Sequence, residues 1–307
     1  VQTCALPISP ARLALALVAS AALATPALAQ TGTLEKIKGS GSITIGHRDA
    51  SIPFSYYDDK QQPIGYAMDL CYRIVDAVRA ELKMPKIDIK YQLVTSANRI
   101  PLMANGTIDL ECGSTTNNLE RQKQVWFTIT HFVTANRFVT KRSANLRKLD
   151  DLKGKTVVST AGTTNIKQIT ELNAQKNLGA SIVSANGHAE AFQMVETGRA
   201  VAFAMDDILL YSLVAQSRTP GDYAISSEAL SVEPYGIMLR KDDASFKKMV
   251  NGAINDLYKS GQINAIYEKW FLKPIPPRGI NLNVPMSEQF KKVVANPTDS
   301  GDPNVYK

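Results

Sequence analysis

Between residues 42 and 206, short apolar runs alternate with amphipathic stretches, and Gly, Asn or Ser/Thr-rich turns separate them. That is the pattern of alternating strands and helices. Residues 42–46 read as a buried strand. Residues 65–81 read as a helix with Leu70, Ile74, Val75 and Val78 on one face, and residues 87–94 as a second strand. Pro101 is tolerated only in a first helical turn, so a short helix must begin near Ala97 or Asn98, and Asn105-Gly106 supplies its left-handed stop. Residues 107–110 then predict a strand. The turn at 113–116 is expected to lead into a second helix, since Asn117 and Glu120 have capping-box spacing. The β-branched and aromatic run 126–141 predicts an extended crossing into a second lobe, which echoes the first: 102–110 and 194–202 both run helix end, glycine, strand. Residues 232–239 cross back, amphipathic helices follow at 245–260 and 263–271, and the chain thins from Pro285 onward into a polar end. Two crossings predict a two-strand hinge between two α/β lobes. One lobe is assigned to 30–134 plus 235–296, the other to 135–234, and 297–307 to a flexible tail.

Residues 1–29 stand apart. Arg12 precedes an Ala/Leu/Val run at 13–23, and Ala27-Leu28-Ala29 is a small-x-small cleavage site, so the segment reads as a cleaved secretory signal and the mature chain is expected outside the cytoplasm. Over the whole chain 44% hydrophobic and 21% charged residues make an ordinary globular composition. The formal charge of +7 loses one cation with the signal. The remaining basic residues are scattered among acids, without the clustering and interleaved aromatics of a nucleic-acid surface. Cys4 leaves with the signal. Cys71 and Cys112 remain as an even pair in an oxidising compartment and are expected to form a disulfide, two buried free thiols being the alternative. With His47, His131 and His188 they give no metal-ligand spacing, and no cofactor is expected.

In open α/β sheets ligands bind outside the carboxyl ends of the strands. Arg48 follows the first strand directly, and the second delivers the chain to Ser96 and Arg99. Ser114 and Thr116 sit in the hydroxyl-rich turn, with Arg121 beyond it. In the second lobe, Thr163 and Thr164 form a similar turn, His188 opens a helix, and Asp206-Asp207 ends a strand, either acid being able to take the same role.

The stretches GHRDASIPFSYYD, TSANRIPLMANGTIDLECGSTTNNLERQKQ, AGTT, GRAVAFAMDD, YGIMLRKDD and KWFLKPIPP together resemble the periplasmic amino-acid-binding proteins of ABC importers, within them the glutamate/aspartate branch. The likeness covers nearly the whole mature chain, with one departure, Ala67 where the family usually carries an acid. It implies the type II periplasmic binding protein fold, α/β with two Rossmann-like lobes. It also implies a set of roles. Arg99 with Ser96 would hold a ligand's α-carboxylate, Ser114 and Thr116 would add contacts at the α-groups, and Asp206 would receive the α-ammonium. Thr163 and Thr164 would meet the ligand from the second lobe. Arg48 and His188 would take a side-chain carboxylate, with Arg121 a weaker candidate near it. Counting charges points the same way. Arg99 and Asp206 already balance one carboxylate and one ammonium, so further cations imply a second anionic group.

The expectation is therefore a monomeric, non-enzymatic solute-binding protein that takes glutamate or aspartate by hinge closure and delivers it to an inner-membrane permease. Enzymes resembling periplasmic cyclohexadienyl dehydratase share this scaffold, but they need a general acid facing the pocket, whereas the groups converging here are mainly cationic or hydroxyl. A sensor acting through a partner is the third possibility.

Overall fold

The computed structural model describes residues 1–3 and 32–307, so Cys4 and all but the start of the segment read as a signal lie outside the described residues. Among the described residues the strands form two five-stranded sheets, a two-stranded ribbon and a small three-stranded sheet. In the first large sheet, Ser42–His47 pairs in parallel with Asp88–Leu93 on one side and Leu110–Glu111 on the other. Met238–Arg240 then runs antiparallel between Leu110–Glu111 and Val125–Phe127. Ser42–His47 is buried along nearly its whole length, as expected of a central parallel strand, with Ile43 and Ile45 in the core. Helix Tyr66–Glu81 packs with Leu70, Ile74, Val75 and Val78 buried.

The second large sheet repeats the plan: Ser181–Ala185, Thr156–Thr160 and Ala202–Asp206 are parallel, and Asn136–Lys141 and Tyr223–Ile225 complete it, Asn136–Lys141 antiparallel to both of its neighbours. Between the sheets the chain crosses twice. Phe132–Thr134 and Glu233–Tyr235 form an antiparallel ribbon with Phe132 opposite Tyr235. Phe54, Tyr66 and Phe271 pack around this ribbon; ring centroids of Phe132 and Phe271 lie 5.0 Å apart. Cys71, in helix Tyr66–Glu81, is bonded to Cys112, just past strand Leu110–Glu111. No helix among the described residues is long and apolar enough to cross a membrane, and none of their His, Cys, Asp and Glu side chains form a group able to hold a metal.

Three local expectations fail. The single extended run at 126–141 is divided among three sheets: Val125–Phe127, Phe132–Thr134 and Asn136–Lys141. The helix expected after residue 116 is one 3-10 turn, Arg121–Lys123. Asn117 caps no backbone there: its Oδ1 accepts from Gln122 Nε2 at 2.8 Å, while its Nδ2 donates to the Asp299 carbonyl at 2.8 Å. The flexible tail expected at 297–307 is packed: Tyr306 is buried, its hydroxyl hydrogen-bonded to Thr130 Oγ1 at 2.8 Å, and Pro303–Tyr306 forms a 3-10 turn.

Candidate functional site

Each parallel strand ends toward one crevice, and its following turn supplies a side chain there. Arg48 follows strand Ser42–His47. Its backbone N–H donates to Ser55 Oγ at 2.9 Å and its Nη2 to Ser96 Oγ at 3.0 Å. Its Nε and Nη1 are buried without a partner, as are Nε and Nη1 of Arg99 and the hydroxyl of Ser114. Arg99 opens the short helix Arg99–Ala104, held by a reciprocal Thr95–Asn98 turn in which Thr95 N–H donates to Asn98 Oδ1 at 2.8 Å and Asn98 N–H to Thr95 Oγ1 at 3.1 Å. Burial, and then the neighbouring Arg99, pulls the Arg48 guanidinium down to about 10. Buried donors of this kind are costly unless something accepts from them, so the cluster is built to receive an anion.

The second sheet supplies the opposite wall. Asp206 ends strand Ala202–Asp206; its Oδ1 accepts from Asn165 Nδ2 at 2.7 Å and its Oδ2 from the Tyr235 hydroxyl. Burial and the nearby Glu233 push its carboxyl up to about 7. Asp207 is engaged elsewhere, accepting from Thr134 Oγ1 at 2.5 Å and Arg137 Nε at 3.1 Å, which separates the two acids' roles. His188 begins helix His188–Glu196. Burial, with Arg48 and Arg99 nearby, holds it well below its ordinary pKa and therefore neutral. Its Nδ1 lies 2.9 Å from Thr160 Oγ1, and its Nε2 has no partner. With Nδ1 accepting from the threonine hydroxyl, Nε2 carries the proton and is a donor.

The two walls enclose a small cavity lined by Ser96, Arg99, Ser114, Thr116, Thr163, Thr164, His188 and Asp206, all singled out in the sequence, together with Asn165, Met205 and Leu209. Two hydroxyls turn away from it. Thr163 Oγ1 donates to the Thr160 carbonyl at 2.7 Å while capping helix Thr164–Gln175, and Thr164 Oγ1 donates to Glu233 Oε2 at 2.9 Å. Arg48 stands behind Ser96 and is not on the cavity wall. Arg121 is off the wall as well: its Nη1 donates to the Thr116 carbonyl at 2.8 Å and its Nη2 to the Gly162 carbonyl at 3.2 Å, joining the two sides through backbone. Gly162 has φ +75°, and a Cβ there would lie 2.5 Å from Ala97 Cα and 2.7 Å from the Ser96 carbonyl oxygen. The sides are therefore in direct contact, and the conformation is closed.

Sequence reasoning missed Glu111. It is fully buried, Oε2 accepts from Thr115 Oγ1 at 2.6 Å, Oε1 has no partner, and its charge acts on both Arg48 and Arg99. The available signal was an acid at the carboxyl end of a strand, just before the turn that carries Ser114. Asn165 and Tyr235, the two donors to Asp206, carried no such mark.

Two α/β units joined by a two-strand crossing, with a polar cavity between them walled by both, define a two-lobed ligand-binding protein. The chain belongs to the bacterial extracellular solute-binding proteins, family 3, whose model matches residues 43–273. A Pseudomonas aeruginosa protein named L-glutamate/L-aspartate-binding protein is 54% identical over 295 residues, covering 95% of this chain and 97% of its own. The Escherichia coli glutamate/aspartate import solute-binding protein is 44% identical, covering 94% and 95%. Among solved structures, an ancestral arginine-binding protein bound to arginine superposes with a TM-score of 0.68 at 28% identity, over 75% of this chain and 98% of its own. An ancestral amino acid-binding protein described as a precursor of cyclohexadienyl dehydratase gives 0.65 at 26%, over 78% and 99%.

Proposed function

We propose that this chain captures glutamate and aspartate outside the cytoplasmic membrane by closing its lobes and delivers them to an ABC importer. The observation that carries the reading is the set of buried, partnerless donors that Arg99, Ser114 and His188 bring to a cavity lined by one acid, Asp206, with further partnerless donors of Arg48 directly behind Ser96. In this assignment Arg99 and Ser96, with Ser114 and Thr116, hold the α-carboxylate. Asp206, kept in place by Asn165 and Tyr235, receives the α-ammonium, whose charge offsets the effect of burial on the carboxyl. Arg48 and the Nε2–H of His188 take the side-chain carboxylate, and Ser96 links the two arginine sites because it accepts from Arg48 while keeping its own hydroxyl proton for the ligand. Thr163 and Thr164 contribute wall and backbone, their hydroxyls being used within the protein. Arg121 acts on closure.

The names of the Pseudomonas aeruginosa and Escherichia coli relatives support the ligand class and the link to import. The signal-like segment 1–29 and the Cys71–Cys112 bond support export to an oxidising compartment, the periplasm. We assign lobe 1 to residues 30–134 and 235–296 and lobe 2 to 135–234, and take the protein to act as a monomer handing ligand to a membrane permease. A thermal-shift panel of amino acids tests the ligand class: glutamate and aspartate should raise the melting temperature most. A larger shift with arginine, histidine or a neutral amino acid would overturn it.

A further inference from the structure

The family model stops at residue 273, yet the chain beyond it turns back over the binding region. Helix Glu288–Ala295 buries Phe290 and Val293, and residues 298–306 lie against the loop running from Thr116 to Gln122. Asn117 Nδ2 donates to the carbonyls of Asp299 and Ser300 at 2.8 and 3.3 Å, and Gln122 Nε2 donates to Asp299 O at 3.1 Å. A Cβ on Gly301 would lie 2.7 Å from the Asn118 carbonyl carbon and 2.8 Å from the Leu119 nitrogen, so the two segments touch backbone to backbone. At its ends the segment is fixed beside the first crossing strand. Thr130 N–H donates to Thr298 O at 2.9 Å, and the Tyr306 hydroxyl lies 2.8 Å from Thr130 Oγ1. Lys247 pairs with Asp299 at 2.6 Å.

The loop has little regular structure of its own, one bridge at Thr116 and one 3-10 turn. Its other side meets the second lobe: Glu120 pairs with Lys167 at 2.5 Å, and Arg121 donates to Gly162 O. A segment that makes contacts across a closing cleft must be held in register, or the entropy of ordering it opposes closure. We propose that residues 298–306 are a strap that positions loop 116–122 for closure, so that they set how long a ligand is held without altering which ligand is chosen. The proposal rests on the closure reading given above.

The test compares the full chain with a chain ending at Asn296 and with two full-length variants, Asn117→Ala and Gly301→Val. Amide exchange in the ligand-free protein should quicken at residues 118–122 by about tenfold or more in each variant and stay unchanged in helix Tyr66–Glu81. Stopped-flow release of glutamate and of aspartate should quicken by one common factor, about three- to tenfold, with the ratio of the two affinities preserved. Wild-type exchange and release in both point variants would overturn the proposal, and so would a changed ratio, since the segment would then be acting on the pocket itself. Should the shortened chain fail to fold, the point variants carry the test. Should the wild type bind neither acid, the ligand reading falls, while exchange in the ligand-free protein still decides the strap.

Discussion

Asp206 carries the clearest pH signature of any single residue. Its carboxyl is raised from 3.8 to about 7, chiefly by burial and then by Glu233. A raised carboxyl pKa stabilises the closed, ligand-free form at pH values below the unfolded value, and that contribution is lost as pH rises toward 7. The ammonium of a ligand requires the ionised form, so a proton must leave below about pH 7. Affinity for glutamate should then fall as pH is lowered from 7 to 5, by up to about tenfold per unit. Calorimetry across that range checks it, and a flat profile would place the ammonium elsewhere. His188 adds no opposing trend, since burial and the two arginines already hold it neutral. Most residues of this site were legible because they sit at turns, where Gly, Ser and Thr punctuate an apolar pattern. Glu111, Asn165 and Tyr235 were not: what places them is who they touch across the sheet or the crossing, and local spacing does not record that.

Among the elements, the turn carrying Gly162 limits closure. Its φ of +75° and the 2.5 Å approach of a hypothetical Cβ to Ala97 both exclude a side chain. The approach crosses the cleft, so Gly162→Ala should still fold, with backbone strain of about 1 kcal/mol, but resist closing. All ligands should weaken together, by about tenfold or more, and scattering should show a larger radius of gyration with ligand than the wild type has. An unchanged affinity would mean that the turn gives way easily. The Cys71–Cys112 bond fixes the other end of the binding turn to helix Tyr66–Glu81. Across a separation of 41 residues its removal should cost about 3–4 kcal/mol. Guanidinium unfolding of Cys71→Ala/Cys112→Ala would measure this, and a loss below about 1 kcal/mol would indicate that packing alone holds the turn. Two of the three elements misjudged in the sequence share one cause. Asn117 and Glu120 have cap spacing, and residues 297–307 are polar, but each segment finds its partner in the other. A local pattern of helix cap or mobile end cannot register a pairing 182 residues away.

At the scale of the molecule, the alternation of strands and helices, the repeated helix–glycine–strand unit and the two extended crossings were enough to anticipate two similar sheets and a ribbon between them. The division of the first crossing into three short strands was hidden, because β-branched and aromatic residues suit all three and only tertiary pairing distributes them. The central claim at this scale is that the closed cleft selects a dicarboxylic amino acid, and calorimetry of wild type, Arg48→Ala and Arg99→Ala against glutamate, aspartate and glutamine tests it most directly. Truncating one member of a buried charged pair typically costs about 2–5 kcal/mol, so Arg48→Ala should weaken glutamate and aspartate by about thirtyfold or more and glutamine much less, whereas Arg99→Ala should damage all three. Equal weakening of glutamate and glutamine by Arg48→Ala, or a wild type that prefers a neutral or basic amino acid, would contradict the account.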